Sequence, residues 1–243
     1  MKASCFAAAL MGLTILLGAA DSDTAFKPVL SDKSIQFEGK TLELSEDGRV
    51  LCNSKEFGTL ITMNMYFYVT VNGKDDYSWQ TKKFDKENST FTRNGNQYLW
   101  DLQYRAHDNM NIELQQELEV LPNGKVKFHA KFTLPGNAET YVYHSGLSFR
   151  MNDSAWSKET VSGSDAPFVL DPSLQPTIVS SKNPVLTFGS TNPAKKFSIS
   201  FNPEEMRFFQ LYYRKNFSCY AIEFFPIKTK MDYTIYLDFT KGK

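Results

Sequence analysis

Between Gln97 and Leu134 apolar and polar residues alternate with a period of two through three consecutive runs. In the first, Tyr98, Trp100, Leu102 and Tyr104 alternate with Gln97, Asp101, Gln103 and Arg105. Met110, Ile112, Leu114, Leu118 and Val120 follow among Asn111, Glu113, Gln115, Glu117 and Glu119. Val126, Phe128, Ala130, Phe132 and Leu134 then alternate with Lys125, Lys127, His129, Lys131 and Thr133. Successive side chains of a strand point to opposite faces, so this pattern predicts antiparallel strands with one buried face and one wetter face.

The turn between the second and third runs sets the register. Pro122-Asn123-Gly124 suits a three-residue loop in which Pro presets the first φ and Gly takes the left-handed position of a G1 bulge. Leu121 then faces Lys125, and the count outward pairs Val120 with Val126, Leu118 with Phe128, Leu114 with Phe132 and Ile112 with Leu134. Glu119 falls opposite Lys127 and Glu117 opposite His129. A slip of one residue would turn all the apolar side chains to water, so the hydrophobic pattern specifies the pairing.

The same reading extends along the chain. From Leu60 to Val71, Ile61, Met63, Met65, Phe67, Val69 and Val71 form one face and Thr62, Asn64, Tyr66, Tyr68 and Thr70 the other, with Asn72-Gly73 as a hairpin signal. Strands are expected at 77–83, 140–151, 195–201, 206–214, 219–225 and 231–239, with polar loops at 84–95 and 152–165 and one helical turn beginning at Pro203. About fourteen strands and no amphipathic helix of three turns predict an all-β fold, a large two-sheet antiparallel β-sandwich of the supersandwich kind.

Lys2, the apolar run Phe6–Leu17 and Gly18-Ala19-Ala20 read as a secretory signal peptide over residues 1–20, leaving 21–243 as a single β-sandwich domain. Its apolar run is shorter than the roughly 20 residues of a spanning helix, and nothing later is long and apolar enough to cross a bilayer. The expected location is therefore secreted or periplasmic, with no membrane span after cleavage. Cys52 and Cys219 remain in the mature chain; in an oxidising compartment they form a disulfide, or else two separate buried thiols. Lys+Arg and Asp+Glu balance at 27 each, which argues against a polyanion such as nucleic acid and favours a neutral partner.

Catalytic signatures are sparse. His107, His129 and His144 lack metal-ligand spacing, so no metal and no cofactor is expected, and Gly163-Ser164-Asp165 lacks the second glycine of a nucleophile elbow. Aromatic side chains carry the remaining signal. A sugar presents an apolar C–H face that stacks on Trp or Tyr, while its hydroxyls bond to polar side chains. Trp79, Trp156, Tyr66 and Tyr68, with Tyr212-Tyr213, are candidate platforms, and Trp100 reads as core; His144 and Arg150, on one face of one strand, are candidate polar contacts.

The hairpin Leu-Glu-Val-Leu-Pro-Asn-Gly-Lys-Val-Lys-Phe at 118–128 resembles the β-sandwich modules of the galactose mutarotase-like group found in bacterial carbohydrate-active proteins. The strand Leu-Trp-Asp-Leu-Gln-Tyr at 99–104 and the closing Asp-Tyr-Thr-Ile-Tyr-Leu-Asp-Phe at 232–239 carry the same likeness. The resemblance implies a carbohydrate partner, although the two catalytic histidines and the late glutamate of true mutarotases are not matched. The leading expectation is an exported, non-catalytic carbohydrate-binding or carbohydrate-processing accessory protein. One alternative is an epimerase, polysaccharide lyase or glycosidase on the same scaffold, with His144, Arg150 and Glu223 as the residues to test; another is a structural envelope or adhesion subunit.

Overall fold

The computed structural model describes residues 27–71, 74–76, 83–105, 111–133, 141–163, 167–175, 177–180, 185–189, 192, 194–226 and 232–240. Positions 66–71, 74–76, 83, 111, 141–147, 177–180 and 226 are described by their backbone alone. The expected signal peptide, the Asn72-Gly73 turn and Trp79 lie outside the described residues.

The first strands are β1 (Val29–Leu30), β2 (Ser34–Phe37), β3 (Lys40–Leu44), β4 (Val50–Ser54), β5 (Gly58–Val71) and β6 (Lys74–Asp76). They are followed by β7 (Lys83–Phe84), β8 (Thr90–Asn94), β9 (Gln97–Arg105), β10 (Asn111–Val120), β11 (Val126–Thr133) and β12 (Tyr141–Asn152). After the single helical turn α1 (Asp153–Trp156) come β13 (Thr160–Ser162), β14 (Phe168–Val169), β15 (Thr177–Ser180), β16 (Val185–Phe188) and β17 (Phe197–Phe201). The chain closes with β18 (Met206–Arg214), β19 (Cys219–Pro226) and β20 (Asp232–Asp238).

These strands form two antiparallel sheets. The first runs β1-β2-β3-β4-β5-β12-β19-β18-β15, with β6 beside β5; the second runs β14-β13-β16-β17-β20-β11-β10-β9-β7, with β8 beside β9. The fold is the expected all-β sandwich. Its central hairpin has the predicted register, with Val120 opposite Val126, Leu118 opposite Phe128 and Leu114 opposite Phe132. Gly124 sits at φ 79°, the left-handed value the turn requires, and the Leu121 N–H donates to the Lys125 carbonyl at 2.8 Å.

Alternation makes the core. Ile61, Met63 and Met65 of β5 and Phe149 and Met151 of β12 bury against Leu114, Leu118, Phe128 and Ile235 of the second sheet in one continuous cluster. Polar atoms then pin one sheet to the other. Trp100 Nε1 donates to the Ser45 carbonyl at 2.8 Å, the Tyr104 hydroxyl to Asp47 at 2.7 Å and Gln116 Nε2 to Gly48 at 3.0 Å, so the β3–β4 turn is held on the face of the second sheet. Gly48 has φ 80°, and a Cβ there would lie 2.7 Å from Leu102 Cδ1, so the close approach requires glycine.

Two local expectations are corrected, and of the two readings left open for the cysteines the separate buried thiols are the one found. The polar stretch at 84–95 contains β8, because Phe91 stacks on Trp100 at 4.7 Å and the strand adds itself to the β9 ladder. The helical turn forms at Asp153–Trp156 rather than at Pro203: Asn152 caps it by accepting from the Ser154 N–H at 3.2 Å. Cys52 and Cys219 are free buried thiols and do not pair. Their strands β4 and β19 are separated by β5 and β12. Three strand spacings are about 14 Å, twice the roughly 7 Å Cα separation that a disulfide tolerates.

Candidate functional site

With Ile61, Met63, Phe149, Met151, Ile222, Phe224, Phe209 and Leu211 committed to the core, the alternate positions of β5, β12, β19 and β18 form the outer face of the first sheet. Register lines them into rows. Asn64 pairs with Ser148, Ser148 with Glu223 and Glu223 with Gln210, giving one polar row across four strands. The next row runs Thr62, Arg150, Ala221 and Tyr212. Arg150 and Glu223, expected from sequence as partners in any chemistry, thus occupy adjacent rows of one surface. The backbone also pairs Tyr66 with Gly146 and Tyr68 with His144, next to a register shift between Val142 and His144; the side chains of these residues lie outside the described part.

Glu223 is only 6% exposed. Its carboxylate accepts a hydrogen bond from Arg214 Nη2, and Arg214 Nε donates to the Tyr212 hydroxyl at 2.8 Å. Burial, then the neighbouring Glu223 charge, pushes the Tyr212 hydroxyl well above the ordinary tyrosine value, so it remains protonated. This is a closed charge pair on a sheet face. Beside it, Ser148 Oγ is buried with no hydrogen-bond partner, and Arg150 Nε is likewise buried and unpartnered. Buried polar atoms are normally satisfied, so these two stand out on the face.

At the end of these rows lies a cleft of about 320 Å³, lined by Thr59, Thr62, Arg150, Asn152, Phe217, Ser218 and Cys219. Phe217 belongs to the 3-10 turn Lys215–Phe217 that joins β18 to β19, and the residue is 52% exposed. The Arg150 guanidinium carbon stands 5.1 Å from the ring centre, a cation–π contact that orients both groups. The turn ends at Ser218 with φ 46°; Ser218 accepts from the Asp153 N–H at 3.2 Å, and Asp153 accepts from the Tyr213 hydroxyl at 2.8 Å. Thus α1 braces the turn that carries Phe217. Burial raises the Cys219 thiol, while the Arg150 and Arg214 charges pull it the other way.

Trp156 is not at this surface, which corrects the expectation of a platform there. It is wholly buried, its Nε1 donates to the Leu60 carbonyl at 2.9 Å, and its ring meets Phe188 and Phe197 edge-on. A polar loop in sequence surrounds it, but one helical turn tucks the indole between the sheets. Tyr213 likewise faces α1 rather than a ligand. Sequence reading missed Phe217 and Arg214; the signal available was a lone aromatic in a polar connection, which had pointed to Trp156.

No protein-family model matches this chain, and no curated protein matches it in sequence. Solved structures do. Residues covering 85% of the chain superpose on 36% of the alpha-N-acetylgalactosaminidase NagBb from Bifidobacterium bifidum, with TM-score 0.53 and 8% identity. The likeness is one of fold. The chain spans about a third of the length of that protein. Looser overlays are found with the 4-alpha-glucanotransferase from Thermococcus litoralis, at TM-score 0.43, 11% identity and 87% against 40% coverage, and with a Klebsiella pneumoniae protein assigned as an aldose 1-epimerase. The latter gives TM-score 0.47, 10% identity and 84% against 78% coverage. Among the described residues no cluster of three His, Cys, Asp or Glu side chains is placed to hold a metal, and no helix is long and apolar enough to cross a membrane.

Proposed function

We propose that this is an exported, secreted or periplasmic, carbohydrate-binding accessory protein, and that the ligand lies along the outer face of the first sheet. The observation that carries the reading is the cleft in which an exposed Phe217 ring stands against Arg150 and beside the hydroxyls of Thr59, Thr62 and Ser218. An aromatic face for the C–H side of a sugar and short polar side chains for its hydroxyls are the two requirements of sugar recognition. The fold shared with part of a glycosidase is compatible with this reading and adds nothing about the ligand.

Binding to an array of soluble glycans tests it. The wild-type chain is expected to retain a set of glycans, and Phe217→Ala to lose them by roughly tenfold or more with its circular dichroism unchanged. Equal retention by Phe217→Ala and wild type would remove the platform from this site, and Trp79→Ala would then be the next variant to read.

A second reading, an enzyme on the same scaffold, is favoured by one feature: Glu223 is a carboxylate buried in a polar row beside an unpartnered hydroxyl, on the strand that neighbours the one bearing His144 and Arg150. Turnover or anomeric interconversion of a sugar by the wild type, lost in Glu223→Gln and in His144→Ala while glycan retention persists, would favour the enzyme over the accessory protein.

A further inference from the structure

The cleft contains an unbalanced charge. Arg214 on the same face is neutralised by Glu223, whereas Arg150 has no ion-pair partner among the described residues and its contact is with the Phe217 ring. The residues that line the cleft include no carboxylate, and burial keeps Cys219 as a neutral thiol. The Arg150 guanidinium lies over the Phe217 ring in a cleft that Arg150 lines, and the part of a guanidinium that meets an anion is its edge. That edge presents parallel N–H donors whose spacing matches a carboxylate or sulfate and is poorly used by a single hydroxyl.

We infer that the Arg150–Phe217 cleft takes an acidic sugar, one that carries a carboxylate or a sulfate ester, with the sugar ring on Phe217 and its anionic group on the Arg150 edge. This rests on the carbohydrate reading above and narrows it. Anion recognition in a chain with 27 basic and 27 acidic residues must be local, because no bulk field attracts a polyanion. A partly buried guanidinium provides such recognition: charge-assisted bonds to it are roughly twice as strong as neutral ones.

Calorimetric titration of the full chain with trigalacturonate, with the same trimer after carboxyl reduction, and with a heparin disaccharide before and after desulfation separates the outcomes. The anionic member of at least one pair is expected to bind about tenfold or more tightly than its neutral counterpart, and the pair that shows the difference identifies carboxylate or sulfate. In Arg150→Gln the difference disappears, and in Arg150→Lys part of it returns, since the charge is kept and the fork is lost. Equal affinity for both members of each pair in the wild type, or a preference that survives Arg150→Gln, overturns the inference. If neutral glycans bind in a Phe217-dependent manner without any preference for the anion, this inference alone falls. If no glycan of either kind binds, the carbohydrate reading falls with it.

Discussion

The Arg214–Glu223 pair offers a quantitative test of how the outer face is held together. The two side chains are 14% and 7% exposed, so each charge has left most of its hydration behind. Replacing Glu223 by Leu takes away the carboxylate that faces the Arg214 guanidinium; replacing Arg214 by Met leaves a carboxylate that is buried deeper still. Breaking a buried pair from one side costs about 3–5 kcal/mol, because an uncompensated charge stays inside. The Arg214 remnant, being more exposed, belongs at the low end of that range, about 3 kcal/mol. For a chain of this length 1 kcal/mol corresponds to about 2–4 °C, so Glu223→Leu should lower Tm by about 6–12 °C. Arg214→Met should cost at least as much. The double variant removes both charges at once, from positions two rows apart on adjacent strands, and should lose clearly less than the two single variants together. Urea unfolding followed by circular dichroism at constant m-value measures all four corners of the cycle. Additive losses in the double variant, or a single variant within about 1 kcal/mol of wild type, would refute the view that these charges depend on each other.

Other outcomes follow from single positions. Trp156→Ala should destabilise by about 3–5 kcal/mol through its cavity and the lost bond to Leu60, and should leave glycan affinity unchanged at temperatures where it is folded; a selective loss of binding would put the indole back at the ligand. At Gly163, with φ 99°, an added Cβ would fall 2.1 Å from the Val185 carbonyl oxygen, so Gly163→Ala should cost at least about 2 kcal/mol in urea unfolding, and a neutral result would contradict the β13–β16 contact. Burial raises the Cys52 thiol to about 12. Because the protonated thiol belongs to the folded state, its contribution is complete below the unfolded-state value and is lost as pH rises through about 12. Native protein at pH 8 should therefore leave Cys52 unlabelled by a thiol reagent until urea is added, without reductant, and a Cys52–Cys219 linked peptide in the mass spectrum would refute the separation of the two strands.

The sheets were readable from the sequence where one face is buried, because there every side chain votes on register. The Pro122-Asn123-Gly124 hairpin shows it: the turn residues and the apolar count agree, and the pairs appear where expected. The neighbouring polar face shows the limit. Glu117 is opposite His129 as counted, yet His129 Nε2 lies 2.6 Å from Asp232 Oδ1 on β20, while Glu117 accepts from Gln97 on β9. Solvent-facing partners depend on which third strand lies alongside, and that is long-range information. The same holds for Trp156, whose burial depends on Phe188 and Phe197 some thirty to forty residues onward. Of the candidate site, Arg150 and Glu223 were legible as polar positions on alternating strands, but their adjacency rests on β12 pairing with β19 across the length of the second sheet's return. Chain neutrality pointed to an uncharged partner; the unpaired guanidinium of Arg150 shows that overall balance conceals a local excess.

One short link between two strands thus supplies the exposed ring of the cleft, while Thr59, Thr62 and Arg150 come to it from the sheet. Lys215–Ser218 carries the ring, and its flanking residues Arg214 and Cys219, the last pair of the β18–β19 ladder, sit at the charge pair and the cleft. On the carbohydrate reading, Phe217 is the position in this joint where a substitution changes what is grasped at least cost to the fold, because its side chain is exposed whereas Ser218 is tied to α1 through Asp153.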